Sequence, residues 1–261
     1  MSELIGLEAH LRARRDAGHK LLVPYVTGGL GADWLDVVRA CADAGADAIE
    51  VGIPFSDPVM DGPTIQAASE AALAQGTNLD EILDQLRAVD AGVPLVAMTY
   101  ANLVFHKGYA RFASEAVAAG VSGMILPDVP LEEMGEWEPY ALEAGMETVL
   151  LASPLTGDDR LARLCERSKG YVYGVNLLGV TGERATVAEM STVLAKRLKA
   201  TTDLPVVMGF GISTPQQARD LAVHADGVVV GSALMRLRLD GASPEQIGTV
   251  VADLRTALDA G

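Results

Sequence analysis

The sequence is poor in cysteine, in basic residues and in long apolar segments, and each shortage argues against a class of protein. Two cysteines, Cys41 and Cys165, stand far apart within predicted helices, which favours core thiols in a cytoplasmic, reducing environment over a disulfide. Lysine and arginine total 20 against 35 acidic residues, a formal net charge of -15, so we expect neither nucleic acid nor anionic membrane as a partner. Apolar runs stay below the roughly 18 residues of a membrane span, and the charged first 20 residues do not resemble a secretory signal.

Short apolar strands alternate with amphipathic helices along the whole chain. The predicted strands are Leu21–Thr27, Asp47–Ile53, Pro94–Tyr100, Gly123–Pro127, Thr148–Ser153, Gly170–Asn176, Pro205–Gly209 and Gly227–Gly231. Eight βα units in about 250 residues predict an α/β fold, a (β/α)8 TIM barrel. An amphipathic segment from Glu3 to Ala17 adds an extra N-terminal helix, and residues 1–261 are expected to form a single domain. An open doubly wound sheet is the alternative.

Local signals place several helix ends. Pro63 suits the first turn of a helix that closes at Gly76. Ser243 and Gln246 have the spacing of a capping box at the start of the last helix. Pro139 predicts a break or a fresh start between residues 131 and 144.

Two carboxylates stand in unlike surroundings around the second predicted strand. Glu50 is embedded in the apolar run of residues 48–53, where an ionised carboxylate is costly unless it is paired, protonated or chemically active. Asp61 follows eleven residues later in a loop rich in proline and glycine, beyond the carboxyl end of that strand. Such a pair suits acid–base chemistry on one substrate. A structural ion pair for Glu50 and a turn or capping role for Asp61 are the other interpretations.

Three glycine-rich turns follow the last three predicted strands. They are residues 179–182, residues 209–215 and the pair Gly231 and Ser232. Glycine lets backbone N–H groups approach an anion, and helix amino ends add oriented donors. Loops after strands seven and eight of such barrels often bind phosphate. Because none of the three turns contains lysine or arginine, we predict phosphate capture by backbone donors.

Seven motifs together resemble one family, the α subunit of tryptophan synthase, and the likeness spans nearly the whole chain. The most specific block is residues 50–66. The motifs are Val23–Thr27, Glu50–Pro58, Asp61–Gln66, Tyr100–Phe105, Pro127–Glu133, Gly179–Gly182 and Gly209–Ser213.

The resemblance implies retro-aldol cleavage of indole-3-glycerol phosphate into indole and glyceraldehyde 3-phosphate. It implies Glu50 and Asp61 as catalytic acids, with Glu50 moving protons at indole C3 and Asp61 accepting a hydrogen bond from the ring N–H. Burial should raise the pKa of Glu50, whereas Asp61, on a wetter loop, should stay ionised. The remaining implied site residues contact the substrate (Tyr173, Thr181 and Phe210) or bind its phosphate (Gly182, Gly211, Gly231 and Ser232).

The same resemblance implies no metal and no cofactor in this chain. It implies an αββα tetramer with a β subunit that carries pyridoxal phosphate. The partner surface is expected on residues 54–61, 103–108 and 128–133, with five exposed apolar side chains: Val59, Met60, Leu103, Val104 and Phe105.

Three departures from the family pattern stand out. Met60 precedes the loop acid where alanine is usual, Leu22 takes the place of an aromatic at the indole pocket wall, and Asn176 stands where serine is frequent. The competing functions are a free-standing lyase that releases indole, a catalytically idle barrel that regulates a β subunit, and another phosphate-sugar isomerase or epimerase.

Overall fold

The computed structural model describes residues 4–175, 184–209 and 211–260, with the backbone alone for residues 184–188. Nine parallel β-strands lie within these residues, in the spatial order β5-β4-β3-β2-β1-β9-β8-β7-β6. The strands are β1 (Leu21–Thr27), β2 (Ile49–Gly52), β3 (Leu95–Met98), β4 (Val121–Ile125), β5 (Glu147–Thr148), β6 (Leu150–Ala152), β7 (Val172–Val175), β8 (Val206–Gly209) and β9 (Gly227–Val230).

The ring of strands closes through β5 and β6, which are two pieces of one interrupted strand. Only Val149 separates them, and its N–H donates to the Met124 carbonyl at 2.9 Å. β5 pairs with β4, and β6 pairs with β7. The predicted (β/α)8 barrel is therefore confirmed. The predicted fifth strand is divided in two, and the fourth begins at Val121, two residues before its predicted start.

Helices follow the strands on the outside of the ring, and a 3-10 turn (Met134–Glu136) precedes α7. The helices are α1 (Leu7–Asp16), α2 (Trp34–Asp43), α3 (Pro63–Ala74), α4 (Leu79–Leu86), α5 (Ala101–Lys107), α6 (Tyr109–Ala118), α7 (Glu138–Ala144), α8 (Asp158–Arg167), α9 (Arg184–Thr201), α10 (Pro215–Ala222), α11 (Ser232–Leu239) and α12 (Pro244–Asp259).

The predicted helix ends are confirmed where a side chain or proline specifies them. The Ser243 hydroxyl accepts the Gln246 N–H, and the Gln246 side chain accepts the Ser243 N–H, which completes the capping box of α12. Pro139 lies in the first turn of α7, so it starts a helix after the 3-10 turn. The opening helix begins at Leu7, later than the predicted Glu3.

Alternate residues of each strand point into the barrel, as strands of period two require. The interior cluster contains Leu7, Leu11, Leu21, Val23, Ala48, Val96, Ile125, Val149, Tyr171, Val207 and Val229. Leu7 and Leu11 come from α1, which covers the amino ends of the strands. A Cβ at Gly123 or Gly170 would press against the Leu7 side chain, so glycine makes room for this cover. The interior is closed at that end.

Both cysteines, Cys41 and Cys165, are buried and free, as predicted. In the part of the chain that the structure describes, no helix has the length and apolarity to cross a bilayer.

Candidate active site

A cavity opens at the carboxyl ends of the strands, where β2, β7, β8 and β9 bring six of the predicted site residues together. These six are Glu50, Asp61, Tyr173, Gly211, Gly231 and Ser232. The cavity is also lined by Tyr25, Ile65, Met98, Gly209, Ile212 and Val229. Three other predicted site residues, Thr181, Gly182 and Phe210, lie outside the described residues.

Glu50 points from β2 into the cavity with its side chain only 1% exposed. Its Oε2 atom is buried and finds no hydrogen-bond partner among the described residues. Burial, and secondarily the charge of Asp61, raise the pKa of Glu50 to about 8. The carboxyl group is therefore largely protonated at neutral pH, so it can donate a proton there.

Asp47 shows what a structural acid looks like in the same part of the fold. It is 2% exposed and lies two residues before β2, and its carboxylate pairs with Arg14 at 2.7 Å and with Arg255 at 3.2 Å. It also accepts the Leu22 N–H at 2.8 Å. The cost of burying the Asp47 charge is thus offset by its two arginine partners and the backbone hydrogen bond. The structural ion pair considered for Glu50 is absent from the described structure, because no comparable partner reaches its carboxylate.

Asp61 lies on the loop between β2 and α3, half-buried and facing the same cavity. The Tyr100 hydroxyl donates to its Oδ2 at 3.1 Å, and the Gln66 amide donates to its backbone carbonyl at 2.9 Å. Desolvation raises the pKa of Asp61 to about 6, against the lowering effect of the Tyr100 hydrogen bond. The surroundings are drier than predicted, yet Asp61 remains mostly ionised at pH 7.

Tyr100 was not among the predicted site residues, although it is the last residue of the third predicted strand, Pro94–Tyr100. Its ring stacks on Phe55 at a centroid distance of 5.0 Å, and its hydroxyl accepts the Met60 N–H at 3.0 Å while it donates to Asp61. The loop between β2 and α3, residues 53–62, is called the acid loop below. The Tyr100 side chain therefore binds both the backbone and the carboxylate of the acid loop. Its position at the carboxyl end of a predicted strand was a signal that could have indicated a place in the site.

Two tyrosines enter the cavity where neighbouring strands carry glycine. Tyr173, a predicted site residue, packs where a Cβ on Gly209 would meet its ring. Tyr25 occupies the matching space beside Gly52, where a Cβ would overlap the tyrosine hydroxyl. The glycines in β2 and β8 are thus required by the close approach of these two rings.

The interpretation of Leu22 as part of the pocket wall is wrong. Leu22 is buried in the outer core between strands and helices, whereas Tyr25, on the opposite face of β1, lines the cavity. The two positions differ by three, an odd number, so their side chains point to opposite faces of the strand.

The far end of the cavity has the features of an anion site. Gly231 is the N-cap of α11, and no side-chain cap is observed for that helix among the described residues. The first N–H groups of α11, at Ser232 and beyond, are therefore available to a ligand. Gly211, in the turn after β8, has φ +68, a left-handed conformation that favours glycine. Gly211, Gly231 and Ser232 all line the cavity that holds Glu50 and Asp61.

The predicted partner surface is only partly exposed. Val59 is 78% exposed, Phe105 is 69% exposed and Met60 is 38% exposed. Val104, however, is fully buried, and Leu103 is half-buried against the core. The prediction for Val104 is wrong because it lies on the face of the short helix α5 that packs inward.

Across residues 4–175, 184–209 and 211–260, no group of three or more histidine, cysteine, aspartate or glutamate side chains could hold a metal ion.

Comparison with known proteins agrees with this geometry. The family model described as tryptophan synthase alpha chain matches residues 11–256. The chain belongs to the tryptophan synthase alpha chain family. The relative from Geobacter sulfurreducens is 43% identical over 267 residues, which cover 99% of each chain. The relative from Halorhodospira halophila is 43% identical over 257 residues, covering 95% of this chain and 94% of its own.

Solved structures of the family share the fold. The structure of Mycobacterium tuberculosis tryptophan synthase has a TM-score of 0.90 at 35% identity, covering 99% of this chain and all of the other. The alpha subunit from Legionella pneumophila has a TM-score of 0.88 at 33% identity, covering 98% of both chains. The tryptophan synthase alpha family consists of lyases of tryptophan biosynthesis, and its members pair with a beta subunit. The idle-barrel, epimerase and free-standing alternatives are not favoured.

Proposed function

We propose that this chain cleaves indole-3-glycerol phosphate into indole and glyceraldehyde 3-phosphate, as the α subunit of tryptophan synthase. The observation that carries the proposal is the buried carboxyl of Glu50, whose Oε2 atom has no hydrogen-bond partner among the described residues and which faces the same cavity as Asp61, Gly211 and Gly231. A buried polar group without a partner is costly, and a substrate that supplies the partner offsets that cost.

The reaction breaks the bond between indole C3 and the first glycerol carbon. Glu50, protonated near neutral pH because its pKa is about 8, delivers its proton to C3. The ring becomes a positively charged indolenine, whose N–H donates to the ionised Asp61. The Glu50 carboxylate then takes the proton of the adjacent glycerol hydroxyl. The C–C bond electrons return to the ring, leaving indole and an aldehyde, and Glu50 is protonated again.

The substrate phosphate would lie at the amino end of α11, with Gly211, Gly231 and Ser232 around it and Gly182 completing the site. Tyr173, Thr181 and Phe210 would contact the rest of the substrate. The chain would need no cofactor or metal of its own, because proton transfer and electrostatic stabilisation suffice for this cleavage. Pyridoxal phosphate would belong to the β subunit.

The β subunit would cover the exposed apolar residues Val59 and Met60 of the acid loop and Phe105 of α5. Contact there would change the position of the acid loop, which carries Asp61. The αββα assembly could alter catalysis in this way. We also propose that residues 1–261 form one barrel domain and that the protein is cytoplasmic, which suits its two free cysteines.

The test is to mix the purified chain with indole-3-glycerol phosphate, with and without a β subunit, and to follow indole. We expect slow release alone and faster release with the partner. No indole under either condition would refute the proposal. Equal rates with and without the partner would instead indicate a free-standing lyase.

A further inference from the structure

Arg236 lies one turn after the open amino end of α11, four residues beyond Ser232 and on the same face of the helix. Helical side chains lean toward the amino end of their helix. The guanidinium accordingly reaches across to α3, where its Nη2 donates to the Thr64 hydroxyl at 2.8 Å. Ser232 and Ile65, the neighbour of Thr64, both line the cavity. Arg236 therefore joins α11 and α3 beside the cavity, next to the residues that each helix contributes to the cavity lining.

Arg236 also differs from most arginines of this acidic chain in its partner. Twelve other arginines pair with carboxylates: Arg12, Arg14, Arg15, Arg39, Arg87, Arg111, Arg160, Arg163, Arg167, Arg197, Arg238 and Arg255. Arg236 bonds to a neutral hydroxyl and forms no ion pair with any described residue. Its positive charge is thus not neutralised by an ion pair with any described residue, even though acidic residues outnumber basic ones 35 to 20 in the chain.

We infer that Arg236 is a further phosphate-binding residue, which supplies the positive charge that the glycine turns lack. This inference rests on the proposed function, because it assumes that the substrate phosphate lies at the amino end of α11. Backbone donors orient a phosphate but carry only partial charge. A full positive charge beside the cavity would attract the dianion and counter the repulsion of the negative chain.

Three variants distinguish the effect of the Arg236 charge from the effect of its contact with Thr64. Arg236→Gln removes the charge and changes the Thr64 contact, whereas Thr64→Val removes only the hydroxyl that Arg236 binds. Arg219→Gln is the matched control, because Arg219 is an exposed arginine on α10 that forms no ion pair with a described residue. All three leave Glu50 and Asp61 in place. Each is assayed with the β subunit for the KM and kcat of indole-3-glycerol phosphate cleavage, and alone by titration with inorganic phosphate.

We expect Arg236→Gln to raise KM and the Kd for inorganic phosphate about fivefold, with little change in kcat. This size is typical of losing the attraction between one exposed positive charge and an anion. Thr64→Val and Arg219→Gln should change both constants less than about twofold. Raising the salt concentration should increase KM of the unmutated chain more than that of Arg236→Gln. Arg236→Lys should restore most of the affinity because it keeps the charge.

The inference is overturned if Arg236→Gln and Arg219→Gln give the same KM and the same phosphate affinity. It is also overturned if Thr64→Val reproduces the whole effect, since Arg236 would then act only by joining α11 to α3. Failure of the unmutated chain to release indole would refute the proposed function instead, and the phosphate titration would still decide the role of Arg236.

Discussion

Replacing Glu50 by glutamine should stabilise the fold near pH 8 even as it removes the proposed proton donor. Burial and the nearby charge of Asp61 raise the pKa of Glu50 from 4.5 to about 8. A carboxyl group whose pKa is higher in the folded chain than in the unfolded chain holds its proton more tightly when folded. The free energy of unfolding therefore falls as the pH rises from the unfolded pKa to the folded pKa, and is constant beyond it.

The size of this loss follows from the two pKa values. Each pH unit in the window changes the free energy of unfolding by about 1.4 kcal/mol per proton. Between the unfolded pKa of Glu50 and pH 7, the loss is on the order of 3 kcal/mol. Glutamine has nearly the same shape and no charge, so Glu50→Gln removes this pH-dependent term without opening a cavity.

The assay is urea unfolding of both proteins at pH 5, 6, 7 and 8. Near pH 5 the free energies of unfolding of the two proteins should differ little. As the pH rises, the free energy of unfolding of the variant should become larger than that of the unmutated chain. Glu70→Gln, at an exposed position of α3, is the control and should show no such gain. Indole release by Glu50→Gln should fall by a factor of about 10² to 10⁴, the usual contribution of a positioned acid or base. Parallel stability curves for Glu50→Gln and the unmutated chain would refute the burial argument.

The other predictions concern the acid loop and the glycine contacts. The profile of kcat/KM against pH should be bell-shaped, rising near pH 6 as Asp61 ionises and falling near pH 8 as Glu50 loses its proton. Tyr100→Phe removes a hydrogen bond that lowers the pKa of Asp61, so the acid limb of that profile should move to higher pH. Gly52→Ala would place a Cβ against the Tyr25 hydroxyl and should destabilise the fold by about 1–3 kcal/mol in urea unfolding, as overpacking does.

Each of these three has a result that would contradict it. A rate that keeps rising above pH 9 would show that a protonated Glu50 is not needed. An acid limb that stays in place in Tyr100→Phe would mean that the hydrogen bond does not tune Asp61. Normal stability of Gly52→Ala would show that the tyrosine ring can move aside. The double variant Gly52→Ala with Tyr25→Ala, compared with Tyr25→Ala alone, serves as the control for the last case, because it removes the hydroxyl and the ring carbons that the new Cβ would meet.

Local sequence signals predicted the elements well because they act over a few residues. The capping box at Ser243 depends on atoms three residues apart. Pro139 starts a helix because its own ring restricts the backbone. The interruption of the fifth strand at Val149 was not predicted, since it depends on how the ring of strands closes.

The site was predicted in part. The burial of Glu50 could be expected from the apolar residues around it, and the structure bears out the raised pKa. The contact of Tyr100 with Asp61 joins residues 39 positions apart in sequence. No local pattern encodes such a contact. Leu22 and Tyr25 were confused because their places on the two faces of β1 depend on which face turns inward.

The sequence by itself determined the alternation of strands and helices, the two acids and the glycine turns, because period, propensity and turn chemistry are properties of neighbouring residues. Only the tertiary structure decided which acid is paired and which has no ion-pair partner among the described residues. Asp47 and Glu50 are both buried and three residues apart, yet arginines from α1 and α12 reach only Asp47. Closing the barrel places Arg14 of α1 and Arg255 of α12 beside the amino ends of the strands and leaves the other end open, and that placement decides which carboxyl group faces a cavity.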